Sequence, residues 1–259
     1  TEALTLEAVE FIDRHDDKPF FLFISYNEVH SPLQGADAYM RKFAHIEDIQ
    51  RRIFAAMLAN MDDSVGDILK QLRKSGLEEN TLVFILSDNG GPTRELTSSN
   101  APLRDGKGSM YEGGLRVPLE IIGPGVSENS YSDVPVTGLD ILPTVARLAG
   151  YEGLLPNILD GGNIQTVIHN HGKGKVERNS PYLIFHQAAN RKPISAIRFG
   201  DYKLVKDWRY NKLELFDLSR DIEEKVDLSK KMPDLVKKLD KALIKFLEDA
   251  DAETKQIKI

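Results

Sequence analysis

The stretch Leu82-Val83-Phe84-Ile85-Leu86-Ser87-Asp88-Asn89-Gly90-Gly91 decides how the middle of the chain folds. Its apolar start predicts a buried strand, and the polar residues and glycines that follow predict a sharp turn at the carboxyl end of that strand. Ligands of open α/β folds bind beyond the carboxyl ends of the strands. The side-chain oxygens of Asp88 and Asn89 suit a hard cation such as Ca²⁺ or Mg²⁺. Taken alone, the stretch favours an ordinary turn, because Asn-Gly is a common turn dipeptide.

A basic, glycine-rich segment follows, with the sequence Pro102-Leu103-Arg104-Asp105-Gly106-Lys107-Gly108-Ser109-Met110-Tyr111-Glu112-Gly113-Gly114-Leu115-Arg116-Val117-Pro118. Flexible backbone together with fixed cations is typical of a site that binds an oxyanion. Lys107 stands between two glycines and can reach such an anion as a point charge. The alternative is a solvated loop whose glycines only turn the chain. That alternative does not explain why the loop follows the Asp-Asn-Gly turn so closely.

The first part of the chain alternates between predicted helices and strands. Helical periodicity occurs at residues 5–15, 49–75 and 139–149, and apolar runs predict strands at residues 20–26, 81–86 and 117–122. The run at 20–26 is almost continuously apolar, as expected of a strand buried on both faces. This order predicts an α/β domain over residues 1–150, with a mainly parallel sheet flanked by helices.

The sequence changes character after residue 150. A loop-rich stretch is followed by short strand candidates at residues 182–186, 195–199, 202–205 and 213–216, and by an amphipathic helix at 233–250. Residues 199–202 are typical of a hairpin turn. Residues 151–259 are therefore predicted to form an α+β subdomain, a small antiparallel sheet backed by one helix.

Composition restricts the class of protein. Hydrophobic residues make up 41% of the 259 residues and charged residues 29%, as in globular proteins. No apolar run approaches the roughly 20 residues of a membrane span. The net charge of −6 gives no indication of a nucleic-acid partner. The absence of cysteine leaves the redox compartment open.

Further segments occur in a fixed order with the two described above: Pro19-Phe20-Phe21-Leu22-Phe23-Ile24-Ser25-Tyr26-Asn27-Glu28-Val29-His30-Ser31-Pro32, Asp140-Ile141-Leu142-Pro143-Thr144 and, more weakly, Gly200-Asp201-Tyr202-Lys203-Leu204 and Leu215-Phe216-Asp217-Leu218. Together they resemble the C-terminal half of a type I, formylglycine-dependent sulfatase (arylsulfatase) of the alkaline phosphatase superfamily. The resemblance covers nearly the whole chain. It implies an alkaline phosphatase-like fold that is incomplete here.

The resemblance also assigns roles. Asp88 and Asn89 match two ligands of the family's divalent cation, expected to be Ca²⁺ with Mg²⁺ as the alternative. Lys107 matches the lysine that binds the sulfate group. His30 matches the histidine that contacts the ester near the leaving oxygen, where a hydrogen bond stabilises developing charge.

Three more residues lie in the same glycine-rich motif. We expect Arg104, Glu112 and Arg116 to order the loop or to contact the substrate. Glu112 and Arg116, four positions apart, alternatively form a simple ion pair. His169 and His171 have a spacing that can chelate a metal, but their polar surroundings favour a solvated surface.

The family's N-terminal half, with its nucleophile, has no counterpart here. The nucleophile is a formylglycine made from Cys or Ser in a Cys/Ser-x-Pro/Ala-x-Arg motif. The chain has no cysteine, and Ser31-Pro32-Leu33 and Ser180-Pro181-Tyr182 lack the arginine of that motif. We therefore expect a fragment that is inactive alone. Its expected partners are the missing half and, through exposed sheet surface, a second copy of the chain.

Sulfuric ester hydrolysis is thus the predicted function, with an aryl or carbohydrate sulfate as substrate. One alternative is a phosphoesterase or phosphonate hydrolase of the same superfamily, and another is a non-catalytic binding or structural domain. The place of Asn89, where two-zinc phosphatases of the superfamily carry His, favours one hard cation and a sulfatase. The resemblance implies a periplasmic, secreted or lysosomal location.

Overall fold

The computed structural model describes residues 1–15, 17–93, 98–188 and 193–254. The helices and strands, in chain order, are α1 (Glu2–Arg14), α2 (Asp37–Lys42), α3 (Ile49–Lys74), β1 (Val83–Leu86), α4 (Glu112–Leu115), β2 (Leu119–Ile122), α5 (Ile141–Leu148), α6 (Gln165–His169), β3 (Leu183–Gln187), β4 (Ile194–Phe199), β5 (Tyr202–Asp207), β6 (Lys212–Asp217) and α7 (Pro233–Asp249). Short 3₁₀ turns occur at Glu78–Asn80 and Gly138–Asp140. No described helix is long and apolar enough to cross a membrane.

The chain divides into two compact units. The first consists mainly of Thr1–Ile85 and Glu120–Pro124, and the second of Leu86–Thr93, Ser99–Leu119 and Gly125–Ile259. The second unit includes residues on both sides of the predicted boundary at 150. The division into domains 1–150 and 151–259 therefore stays a prediction.

Helices α1 and α3 form the core of the first unit. Buried apolar residues of both helices contact one another, and the extended segment at residues 20–26 packs against them with every second side chain. Asp48 begins α3, because its carboxylate accepts a hydrogen bond of 2.7 Å from the Arg51 amide. The prediction of a helix at 49–75 is confirmed to within one residue.

The strand predicted at residues 20–26 is not formed among the described residues. This segment is extended but has no strand assignment. Its burial alternates, since Phe20 and Leu22 pack on the helices whereas Phe21 and Phe23 are 69% and 76% exposed. The expectation of burial on both faces was therefore wrong, because no described residue of this unit covers Phe21 and Phe23 on the second face. His30 follows a turn, not the end of a strand.

Strands β3 to β6 form an antiparallel sheet in sequence order within the second unit. Phe199 pairs with Tyr202 across the tight turn between β4 and β5, which confirms the predicted hairpin. The predicted antiparallel sheet with a C-terminal helix is also confirmed. Strands β1 and β2 make a separate two-stranded sheet. The mainly parallel sheet stays a prediction.

Both faces of the four-stranded sheet are covered. On one face Ile197, Leu204 and Leu215 contact the buried leucines of α7. On the other face a second cluster contains residues of β4, β5 and β6 together with Met110, Tyr111 and Leu115 of the glycine-rich segment. The sheet therefore serves as a support for that segment, which carries the predicted anion site.

Candidate functional site

The Asp88–Gly91 turn begins two residues beyond β1. The Asp88 side chain is exposed, and its Oδ1 accepts a hydrogen bond of 2.7 Å from the Asn89 side-chain amide. The Ser87 hydroxyl closes the turn by donating to the Asn89 carbonyl oxygen at 2.9 Å. The two predicted metal ligands are thus neighbours in space, with one carboxylate oxygen of Asp88 free of this contact.

Asn100 ties this turn to the glycine-rich segment. Its Oδ1 accepts a hydrogen bond from the Gly91 amide at 3.0 Å. Its Nδ2 donates to the carbonyl oxygens of Gly91 and Asp105, also at 3.0 Å each. One amide side chain therefore satisfies three backbone groups of two separate segments.

The glycines allow backbone segments to approach one another more closely than any other residue would. A Cβ on Gly90 would lie 1.7 Å from the carbonyl oxygen of Gly113. A Cβ on Gly106 would lie 2.4 Å from the Gly91 carbonyl oxygen. A Cβ on Gly114 would lie 2.3 Å from the Ser109 carbonyl oxygen, within the glycine-rich segment. The backbone of the Asp88 turn and that of the glycine-rich segment therefore form one close-packed assembly.

Lys107 projects from this assembly. Its backbone amide donates to the Gly91 carbonyl oxygen at 3.1 Å, so its Cα is fixed relative to the Asp88 turn. Its side chain is exposed, and its ammonium makes no ion pair with any residue that the structure describes. A fixed backbone with an uncompensated ammonium is what an anion-binding lysine requires.

A buried network of ion pairs holds the glycine-rich segment in place. The Lys203 ammonium lies 2.7 Å from Glu112 Oε1 and 2.6 Å from Glu224 Oε1, and the Lys203 side chain is 1% exposed. Glu112 Oε2 accepts from Arg116 Nε at 2.8 Å, which is the ion pair named above as an alternative. Glu224 Oε2 accepts from the Glu112 backbone amide at 2.6 Å. The network joins the glycine-rich segment to β5 and to the loop after β6.

The two carboxylates of this network differ in pKa. Burial by itself disfavours the Glu112 carboxylate, but Lys203 and Arg116 together outweigh it and hold the pKa of Glu112 below its usual range. Burial raises the pKa of Glu224, because the attraction to Lys203 only partly offsets the loss of solvation and the charge of Glu112 adds repulsion. Glu112 is therefore the more firmly ionised partner.

Arg104 holds the other side of the segment. Its guanidinium stacks on the Tyr111 ring at 3.7 Å and donates to the Glu224 carbonyl oxygen at 2.9 Å. The Tyr111 hydroxyl donates to Glu214 at 2.6 Å. Burial is the main cause that raises the pKa of the Tyr111 hydroxyl, and the hydrogen bond to Glu214 raises it further. Arg104, Glu112 and Arg116 thus order the loop; substrate contact for them stays a prediction.

His30 belongs to the first unit, whereas the other three predicted site residues belong to the second. Its Nδ1 lies 2.8 Å from the Ser31 carbonyl oxygen. Because a carbonyl oxygen only accepts, Nδ1 is the donor of this hydrogen bond, and Nε2 takes no part in it. The convergence of His30 with Asp88 and Lys107 stays a prediction.

The donors at Asp88 and Asn89 fit part of the coordination shell of a hard cation. Both supply oxygen, which Ca²⁺ and Mg²⁺ prefer. Among the described residues, no group of three or more His, Cys, Asp or Glu side chains could hold a metal. His169 instead contacts the Gly125 carbonyl oxygen through Nδ1 at 2.7 Å, on the surface.

Two structural residues were not anticipated. Asn100 and Glu224 help to hold the site together, but nothing in a single sequence marks them. Lys203 was noted only as part of a motif. Asp140 was likewise noted only as part of a motif. It is fully buried and receives two hydrogen bonds from Arg178, at 2.5 and 2.8 Å, so it anchors the start of α5.

Comparisons with known proteins show the family to which the chain belongs. The Sulfatase family model matches residues 1–151, and the model described as N-sulphoglucosamine sulphohydrolase, C-terminal, matches residues 105–249. Steryl-sulfatase of Homo sapiens is 31% identical over 81% of this chain, and a sulfatase of Formosa agariphila is 31% identical over 98%. The crystal structure of Ps i-CgsB in complex with k-i-k-neocarrahexaose is 33% identical and covers 95% of the chain with a TM-score of 0.84.

The chain spans only part of the length of these relatives. It covers 35% of the human steryl-sulfatase, 51% of the Formosa agariphila protein and 54% of the Ps i-CgsB chain. The family model matches more than half of the present chain, and the solved sulfatase structures share its alkaline phosphatase-like fold. The chain therefore belongs to the sulfatase family.

Proposed function

We propose that these residues form part of the active site of a sulfuric ester hydrolase that acts on an aryl or carbohydrate sulfate. The observation that carries the proposal is the close-packed assembly of the Asp88 turn and the glycine-rich segment. This assembly sets two hard oxygen donors and an uncompensated ammonium on one backbone framework. Membership in the sulfatase family supports the same reaction.

Asp88 and Asn89 are proposed to hold a divalent cation, Ca²⁺ in preference to Mg²⁺. Such a cation withdraws negative charge from a sulfate oxygen when it is bound. Two side chains supply only part of the six to eight oxygens that Ca²⁺ prefers, so its other ligands are proposed to come from residues outside this chain.

Lys107 is proposed to bind the sulfate group, and His30 to act at the leaving oxygen. The ammonium of Lys107 offsets the charge that builds on the sulfate oxygens. His30 Nε2 donates a proton to the alcohol oxygen as its bond to sulfur breaks, so this nitrogen must carry a proton when the ester binds. The role requires His30 to lie within roughly 10–12 Å of a common point with Asp88 and Lys107.

A formylglycine nucleophile is proposed to come from residues outside the 259. No cysteine occurs in them, and neither Ser-Pro pair has the required arginine. These residues alone are therefore expected not to hydrolyse a sulfate ester. The locations we propose for the full-length protein are the periplasm, the extracellular space or the lysosome.

The test compares 4-nitrophenyl sulfate with 4-nitrophenyl phosphate as substrates of the full-length protein that contains these residues. The proposal predicts release of 4-nitrophenol from the sulfate ester, at a rate that Asp88→Ala lowers together with the affinity for Ca²⁺. Faster hydrolysis of the phosphate ester would favour the phosphoesterase alternative. Hydrolysis of neither ester, with normal folding and bound Ca²⁺, would favour a non-catalytic domain.

A further inference from the structure

A large cavity in the second unit is lined by residues that the proposed reaction does not use. Its volume is about 710 Å³. The walls come from two loops, at residues 131–135 and 171–178, from the start of β3 and from the β4–β5 hairpin. This volume falls within the range of sites that bind small molecules and cofactors.

The lining is strongly basic. Lys173, Lys175, Arg178 and Arg198 line the cavity, against the single carboxylate of Asp133. The chain as a whole carries a net charge of −6, so this local excess of cations runs against the overall charge. A concave surface with one sign of charge concentrates ligands of the opposite charge.

Three of these cations form no ion pair with any residue that the structure describes. Arg178 is neutralised by the buried carboxylate of Asp140. Lys173 and Lys175 are exposed, and neither forms an ion pair with a described residue. Arg198 is half-buried, donates from Nε to the Gly200 carbonyl oxygen at 2.9 Å, and has no ion pair within the described ranges. The cavity therefore offers three positive groups to a ligand.

The loop that carries the two lysines is held in place by hydrogen bonds, both within the loop and to the segment at residues 131–135. The Ser132 hydroxyl donates to the Gly172 carbonyl oxygen at 2.6 Å, and the Lys173 amide donates to the Asn170 carbonyl oxygen at 2.8 Å. Gly172 has a φ of +75°, and a Cβ there would lie 2.1 Å from the Tyr131 carbonyl oxygen. A loop fixed in this way loses little conformational freedom when a ligand binds.

The cavity also has features that suit a sugar. The Tyr131 ring stands at its edge and is 93% exposed, so its apolar face is available for stacking and its hydroxyl for hydrogen bonding. Pro135, Pro181 and Leu183 supply apolar surface to the lining. A purely inorganic anion would make no use of this part of the wall.

Arg198 connects the cavity with the glycine-rich segment. On β4 it pairs with Lys203 on β5, the lysine that binds Glu112. The carboxylates of Glu112 and Asp201 attract the Arg198 guanidinium, whereas the Arg116 guanidinium repels it. A ligand that touches Arg198 therefore lies beside the segment that carries Lys107.

We propose that this cavity binds a second anionic group of the substrate, so that the substrate is a saccharide with more than one sulfate. The proposal rests on the proposed function, because it adds a second anion site to the same active site. Lys173 and Lys175 bind the sulfate, Arg198 binds the end of the saccharide nearest the glycine-rich segment, and Tyr131 stacks on a sugar ring. Aryl sulfates, which carry one anionic group, would leave the cavity empty.

The test is a calorimetric titration of the 259-residue chain with a heparin-derived tetrasaccharide. Inorganic sulfate and neutral maltotetraose serve as reference ligands. We expect the sulfated tetrasaccharide to bind at least tenfold more tightly than either of them. The double variant Lys173→Gln/Lys175→Gln should lower that affinity roughly tenfold, since each exposed ion pair contributes up to about 1 kcal/mol.

The double variant Lys230→Gln/Lys231→Gln is the matched control, because it removes the same charge from exposed positions outside the cavity. We expect its affinity to stay within twofold of the unmodified chain. An equal loss in both double variants would overturn the proposal in favour of general charge attraction. No binding of the tetrasaccharide, or equal binding of maltotetraose or inorganic sulfate, would also overturn it. Turnover is not needed here, so failure of the proposed reaction would leave the binding result unchanged.

Discussion

Replacing Lys203 by Met should reveal how much the buried ion network stabilises the second unit. The substitution keeps the length and most of the apolar volume of the side chain but removes the ammonium. Two carboxylates, Glu112 and Glu224, would then remain buried without the cation that lies 2.7 and 2.6 Å from their oxygens. Arg116 would still compensate one of them.

Removing one partner of a buried ion pair costs about 3–5 kcal/mol, because the remaining charge is left uncompensated. We expect Lys203→Met to fall in that range at pH 7. Lys206→Met is the control on the same strand, since Lys206 is also buried but forms its ion pair with Asp240, which is partly exposed, and lies 4.5 Å from the centre of the Trp208 ring. Water can solvate Asp240 after the change, so the control should cost about 1–2 kcal/mol, closer to the range for more exposed pairs.

Urea denaturation followed by tryptophan fluorescence would measure both costs, since Trp208 follows directly on β5 and packs beside the sheet. The cost of Lys203→Met should shrink as the pH falls toward 5, because the buried carboxylates then take up protons in the folded state. An equal loss in the free energy of unfolding for the two variants would contradict a special role of the Lys203 network. So would a loss for Lys203→Met that does not change with pH.

Three further predictions concern stability. Gly90→Ala should destabilise the fold by about 1–3 kcal/mol, because its Cβ would clash with the Gly113 carbonyl oxygen. Gly66 lies in helix α3 with open space around it, so Gly66→Ala should stabilise the fold by about 0.4–1 kcal/mol. Thermal denaturation measures both effects. Leu243→Ala should cost about 2–5 kcal/mol in urea denaturation, because Leu243 is fully buried between α7 and the sheet, and a cost below 1 kcal/mol would contradict the packing. Because the pKa of Glu112 is lowered in the folded state, its ionised carboxylate contributes its full stability above the unfolded pKa of about 4.3, and this contribution is lost as the pH falls through the folded pKa. Glu112→Gln should therefore make the free energy of unfolding depend less on pH below about 4.3. An unchanged pH dependence would contradict the network.

The sequence predicted the elements whose signals are local. Helix α3 follows from apolar residues at helical spacing and ends before Gly76, which has a φ of +70°. The β4–β5 hairpin follows from Gly200 between two strand-like runs. In both cases the residues that decide the structure lie within one element or one turn.

The sequence failed where the structure depends on distant partners. An apolar run such as residues 20–26 becomes a strand only if another chain segment supplies its hydrogen bonds, and no local pattern shows that. The pairing of Lys203 with Glu112 joins residues 91 positions apart, and the contact from the Glu112 amide to Glu224 spans 112 positions. Single-sequence patterns cannot show such contacts, because the fold itself brings them together.

The residues of the candidate site could be chosen from the sequence, but the contacts that hold them in place could not. Asp88, Asn89 and Lys107 stand out because their residue types and neighbouring glycines are typical of cation and anion sites. The glycines were expected to turn the chain and to supply flexible backbone next to the cations. The structure shows that they let two backbone segments pack closely, and that Asn100 holds these segments together.

The most direct test of the central claim is the kcat/KM of the full-length protein for a sulfate ester, measured for Lys107→Ala and for the surface control Lys230→Ala. If Lys107 binds the sulfate in the transition state, its loss should lower kcat/KM by roughly 10²–10³-fold, as for other groups that stabilise developing charge. The control should leave kcat/KM unchanged. A Lys107→Ala enzyme that keeps the kcat/KM of the unmodified protein would contradict the claim that the glycine-rich segment forms the sulfate site.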